Sequence, residues 1–144
     1  VGVVACDQIY DIPCDVFAPC ALGGTINFAT IQRLDTKIIA GSANNQLTHR
    51  QVIHLIDKKG ILYAPDFVIN SGGLISAATL YDNGDVNHSS AKIDQLKETL
   101  YSLYEQAAVQ GKSTVDIAFD IATQKIKNNK TSLQGRRNEF IGFR

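Results

Sequence analysis

Three short segments hold most of the groups that could grip a small ligand: residues 18–24 (APCALGG), 41–46 (GSANNQ) and 64–73 (APDFVINSGG). Their side chains are small, apolar or amide-bearing, and Asp66 is the single charge among them. An exposed surface with no binding task is richer in Lys and Glu. Asn44 and Asn70 matter most. Each amide presents both donor and acceptor, matching a carboxamide. Free N–H groups at a helix start near Ser71-Gly72-Gly73, uncovered by side chains, would face such a ligand. Each residue also has a purely structural account. Asn70 suits a helix N-cap, and on the residues alone that account carries more weight. Paired glycines allow close packing, and Asn44-Asn45 suits a turn.

Other chemistries find little support. Cys20 has no histidine or other base arranged near it in sequence, so a nucleophilic role is not expected. Gly41-Ser42-Ala43 is not the G-x-S-x-G turn of a serine hydrolase. His49 and His54 point in different directions on one helix and His88 falls in an expected loop, so no metal site is expected. Asn87-His88-Ser89 matches a glycosylation sequon, which without secretion is a coincidence.

The elements that must position these segments follow from apolar spacing. Val1-Gly2-Val3-Val4-Ala5 reads as a strand or the end of one, and residues 14–18, 37–40 and 61–64 read as three more. Residues 26–34 read as a short helix. Another follows the capping box Thr48-His49-Arg50-Gln51 and closes at Lys58-Lys59-Gly60. A helix is expected from about residue 70 to 81, a polar loop over 82–89, and a long helix over 90–110 stopped by Gly111. Ser113-Thr114-Val115-Asp116 opens a last helix that gives way beyond Lys127 to a polar, basic, frayed tail. Strands alternating with helices predict an α/β fold with a parallel sheet. In such a sheet the three segments emerge at one edge, beyond the carboxyl ends of the strands, where open α/β sheets bind nucleotides.

In this order and spacing, CDVFAPCALGG, AGSANNQL and YAPDFVINSGG resemble the leucine, phenylalanine and valine dehydrogenases, relatives of glutamate dehydrogenase, with the leucine enzymes closest. The resemblance runs from about Ile9 to about Leu80 and continues more loosely through the later helices. It implies a partial Rossmann-type NAD-binding domain, a doubly wound parallel sheet, followed by C-terminal helices. The implied reaction is oxidative deamination of a branched-chain L-amino acid such as leucine to its 2-oxo acid and ammonia, with hydride passing to NAD.

By the same resemblance, Cys20, Ala21 and Leu22 contact the cofactor towards its ribose and adenosine end. Asn44 sits near the nicotinamide ribose and the substrate's α-carboxylate, and Asn70, Gly72 and Gly73 lie by the nicotinamide ring and the substrate. Leu74 and Ala77 line the pocket for the substrate side chain. Ser71 stands where the family commonly has alanine. The family carries its G-x-G-x-x-G loop and catalytic lysines upstream of these motifs, and neither is recognised here. With Val1 rather than Met in first place, the expectation is a C-terminal portion with no catalytic residue of its own, inactive alone. Its expected parts are residues 1–81, the distal half of the cofactor domain, 82–127, the C-terminal helices, and 128–144, the tail.

Charge and composition narrow the partners. Lys+Arg and Asp+Glu both number 14, so nothing concentrates polyanions and no nucleic-acid partner is expected. No apolar stretch approaches the roughly 18 residues of a membrane span. No signal peptide opens the chain, and a cytoplasmic location with reduced cysteines is expected. Family enzymes are homo-oligomers, and the same is expected here. Two rivals stay open. One is a non-catalytic module that binds a small ligand at the same sheet edge. The other is an assembly domain whose helices from Ser90 onward bury themselves against another copy.

Overall fold

The computed structural model describes residues 2–83 and 87–141, with side chains described over 2–82 and 89–128. One parallel sheet runs in the order β1-β2-β3, with β1 Cys14–Phe17, β2 Thr36–Ile39 and β3 Leu62–Tyr63. The helices are α1 Thr30–Arg33, α2 Val52–Lys58, α3 Asp66–Ile69, α4 Gly72–Asn83, α5 Asn87–Gln110 and α6 Thr114–Ile141. A 3₁₀ turn, Ile9–Asp11, precedes β1. The expected α/β class and parallel pairing are found. The three described strands lie in chain order.

Register decides what the sheet buries. Phe17 pairs with Ile39 and Ile39 with Tyr63, while Val16 pairs with Ile38 and Ile38 with Leu62. Side chains alternate along a strand, so the two rows lie on opposite faces. The first row is buried and packs with Ile31, Leu34, Val52, Ile53 and Ile56 from α1, its end and α2. The second row is open, with Val16 48% and Leu62 42% exposed. Parallel sheets are ordinarily covered on both faces. Among the described residues this one is covered on one. A second, smaller core joins Leu103 and Ala107 of α5 to Ile117 and Ala118 of α6. The Thr114 hydroxyl, donating to the Tyr63 carbonyl at 2.9 Å, ties α6 to the sheet.

Several local expectations are corrected. Residues 2–5 form no strand despite their β-branched composition. Helix α1 is shorter than expected because Ile26 bridges to Leu47 instead. Asn27 then opens the helix, its Oδ1 accepting from the Ala29 and Thr30 N–H groups at 2.9 and 3.0 Å. The Thr48 capping box does not form. The Thr48 N–H is committed to the Ile26 carbonyl, and α2 starts at Val52 behind a turn with no side-chain cap. Gly60 does close α2, at φ +69°. Lys59, however, reaches back to cap α1, donating to the Ile31, Gln32 and Leu34 carbonyls at 3.0, 3.1 and 2.8 Å.

The helix expected from about residue 70 is α4, which starts at Gly72, and a separate short helix, α3, precedes it. The loop expected over 82–89 is narrower, since α4 continues through Asn83 and α5 starts at Asn87, and residues 84–86 lie outside the described residues. The tail expected to fray beyond Lys127 is helical backbone as far as Ile141, with the last three residues again outside the description. No helix among the described residues is long and apolar enough to cross a membrane.

Candidate functional site

The three segments meet. After β1, the Pro19 carbonyl accepts from the Ala43 N–H at 3.0 Å, and the Gly24 N–H donates to the Asn45 carbonyl at 2.8 Å. Both contacts join the first segment to the second. A Cβ on Gly23 would sit 2.6 Å from the Asn44 carbonyl oxygen, and one on Gly41 would sit 2.1 Å from that of Pro19. Both glycines are required by the close approach of two backbones, since real side chains do not tolerate such separations. Asn45 takes φ +52°, the left-handed conformation that asparagine accommodates better than most residues.

The second and third segments are joined from side to side. The Asn70 Nδ2 donates to the Asn44 Oδ1 at 2.5 Å. Asn70 follows α3 with φ −94° and does not cap α4. The first turn of α4 opens from the Ser71 carbonyl, which accepts from the Ile75 N–H at 2.9 Å. The capping account of Asn70 is therefore replaced by a contact across the rim. Among the described residues each amide keeps spare capacity: Asn44 both its donors, Asn70 its oxygen and one N–H.

Gly72 and Gly73 do not serve close packing either. A Cβ on Gly73 would meet nothing within 4 Å, and one on Gly72 only the Ile93 Cδ1 at 4.0 Å. The start of α4 is open to a neighbour. Leu74 is 75% exposed and Ala77 is exposed a turn later. On the β1 side, Cys20, Ala21 and Leu22 line a mainly apolar cleft of ≈ 490 Å³ with Val3, Val4 and Phe17. Hydrogen bonds from the Ser42 hydroxyl, then from its backbone, hold the exposed Cys20 thiol below its ordinary range. Cys20, Asn44 and Asn70 thus occupy one continuous rim, bridged by contacts between neighbouring loops.

Two residues with a part in this geometry carry weaker sequence signals. Gln46 is fully buried, and its Nε2 donates to the Gly41 and Ala43 carbonyls at 2.6 and 3.0 Å. Its N–H donates to the Asp66 Oδ2 at 2.8 Å. The signal for Asp66 was its standing as the lone charge among the three segments. Gln46, like Asn45, reads from the sequence as a residue that holds its loop rather than one that meets a ligand, and its bonds to the Gly41 and Ala43 carbonyls agree with that.

A parallel sheet whose carboxyl-edge loops converge on a polar rim is the plan of an α/β ligand-binding protein. Over residues 2–135 the chain matches the family described as Glutamate/Leucine/Phenylalanine/Valine dehydrogenase. It is 40% identical over 141 residues to the leucine dehydrogenase of Thermoactinomyces intermedius, a match covering 95% of this chain and 38% of that protein. To an L-tryptophan dehydrogenase of Nostoc punctiforme it is 44% identical over 131 residues, covering 90% and 37%. The crystal structure of L-tryptophan dehydrogenase from Nostoc punctiforme superposes with a TM-score of 0.84 at 43% identity, over 90% of this chain and 39% of that one.

The chain belongs to the Glutamate/Leucine/Phenylalanine/Valine dehydrogenase family. It spans less than two-fifths of the length of these relatives. Their names include leucine and tryptophan at comparable identity, so similarity alone does not single out leucine.

Proposed function

We propose that this chain is the nicotinamide-holding part of a Rossmann-type domain in an NAD-dependent amino-acid dehydrogenase. The substrate we favour is a branched-chain L-amino acid such as leucine, deaminated to its 2-oxo acid and ammonia. The observation that carries the reading is the Asn70–Asn44 hydrogen bond, which unites the second and third segments at one rim. The residues fit the cofactor. Asn70 has an acceptor and a donor left for a carboxamide, and the two donors of Asn44 suit a carboxylate and a ribose hydroxyl. Open space over Gly73 lets a flat ring approach the backbone. Cys20, Ala21 and Leu22 line the adjoining apolar cleft, which suits the adenosine end.

NAD, when bound, supplies the acceptor for the substrate's α-hydride. What this chain does is hold and orient, and orientation alone accounts for a large part of such a barrier. Leu74 and Ala77, apolar and exposed beside Gly72 and Gly73, receive the substrate side chain. Residues 1–81 act as the distal half of the cofactor domain, 82–127 as its C-terminal helices, and 128–144 as the final segment. The open face of the sheet and the partial coverage of the relatives both support a working protein larger than this chain. That protein is a cytoplasmic homo-oligomer in this reading.

The test is a titration of the ¹⁵N-labelled chain with NAD. Amide shifts should be confined to residues 20–22, 44 and 70–74, with weak affinity and no leucine-dependent NADH formation. Shifts elsewhere, or robust turnover by this polypeptide, would defeat the reading.

A further inference from the structure

Asn44 and Asn70 are exposed or half-exposed, and amide side chains at a surface do not hold one geometry unaided. Directly behind them lies a second link between the same two loops. Gln46 is two residues beyond Asn44 and is fully buried. Its loop wraps around its amide, with the Gly41 and Ala43 carbonyls both accepting from Nε2. Its N–H donates to the Asp66 Oδ2 at 2.8 Å, while the Asp66 Oδ1 accepts from the Phe67 N–H at 2.8 Å. The Asp66 carbonyl in turn accepts from the Asn70 N–H at 3.0 Å. One carboxylate therefore bonds the second loop with one oxygen and the start of α3 with the other. The far end of that helix carries Asn70.

We infer that Gln46 and Asp66 are positioning residues that set the Asn70–Asn44 contact and, through it, the orientation of the Asn70 amide towards a nicotinamide carboxamide and of the Asn44 amide towards the adjoining ribose. The inference deepens the proposed function and rests on it for the identity of the ligand. A carboxylate is required at position 66 because both oxygens accept from N–H groups. The amide of Asn would turn an NH₂ towards one of them and lose that bond. Buried Gln46 acts on Asn44 only through the fold of the loop, and so touches no ligand itself.

The experiment uses this 144-residue chain, labelled with ¹⁵N, and follows the side-chain amide signals of Asn44 and Asn70. Asn44→Ala identifies the Asn70 signal that depends on the contact. Asp66→Asn should move that signal in the same sense, and nicotinamide mononucleotide should then bind roughly tenfold more weakly. Gln46→Met is close in volume and keeps the backbone N–H to Asp66. It should move the Asn44 signal and weaken the same titration. Asp66→Glu, which keeps two acceptor oxygens, should recover part of the Asn70 signal.

A folded Asp66→Asn chain with an unchanged Asn70 amide overturns the inference. So does loss of folding in both Asp66→Asn and Gln46→Met, which would make the pair a determinant of folding. If the amide signals move as expected but nicotinamide mononucleotide does not bind the unaltered chain, the positioning role stands and the nicotinamide reading falls.

Discussion

At the scale of single residues, two glycines in similar sequence settings do opposite work. Gly41 lies where a Cβ would meet the Pro19 carbonyl oxygen at 2.1 Å and the Pro19 nitrogen at 2.5 Å. Backbone atoms on both sides cannot yield cheaply, so Gly41→Ala should destabilise the chain by about 1–3 kcal/mol in urea unfolding. Gly73 sits in a helix with nothing within 4 Å of an added Cβ. Gly73→Ala should therefore stabilise the chain by about 0.5–1 kcal/mol while weakening dinucleotide binding in the same titrations. Equal losses of stability at the two sites would contradict this division. Cys20 offers a pH readout. Ser42 depresses its thiol pKa, which enriches the reactive thiolate near neutrality. Ser42→Ala should move the midpoint of the iodoacetamide rate profile to higher pH, as followed by mass spectrometry. An unmoved midpoint would remove Ser42 as the cause.

At the scale of elements, helix ends separate what sequence reading handles from what it does not. The start of α6 was legible: the Ser113 Oγ accepts from the Asp116 N–H at 3.1 Å. Here the cap needs only residues three apart. The Thr48 motif has the same form but fails, because a distant carbonyl at Ile26 claims the Thr48 N–H. Asp116 also meets the Arg50 guanidinium, and Arg50 followed by Ser113 lowers its carboxyl pKa below 3.8. A depressed carboxyl contributes stability above its unfolded value and loses it as pH falls through the folded one. Asp116→Asn should therefore lower the melting temperature near neutrality, by the equivalent of a few tenths to about 1 kcal/mol for a partly exposed pair. The gap should close on acidification below pH 3.8, because protonation removes the same charge from the unaltered chain. A gap constant with pH would show that the carboxylate charge is not its source.

At the scale of the whole molecule, the sheet is covered on one side only among the described residues. Val16, Ile38 and Leu62 form an in-register apolar row on the other face, with Val16 and Leu62 nearly half exposed. Exposed apolar surface of this kind takes up hydrophobic dyes. The isolated chain should enhance ANS fluorescence while melting cooperatively, and the double change Val16→Ser with Leu62→Ser should reduce the enhancement. Stability should shift by no more than about 0.5 kcal/mol, since each side chain gives up little buried area. A chain that leaves ANS dark would mean that the row is covered. The failed strand at residues 2–5 belongs to this scale too. Its β-branched residues have strand composition, but a strand also needs a neighbour to accept its hydrogen bonds, and the described sheet provides none there.

By itself, the sequence determined the alternation of strands and helices, the parallel pairing and the common edge from which three small, nearly uncharged segments emerge. These follow from apolar periodicity and short connections, which act over neighbouring residues. Only the tertiary structure decided that Asn70 reaches Asn44, that Gly41 yields space to Pro19 while Gly73 faces open space, and that Gln46 and Asp66 brace the rim from behind. Each depends on groups more than fifteen residues apart, or on the absence of any neighbour, and no local preference for turn or helix encodes that distance.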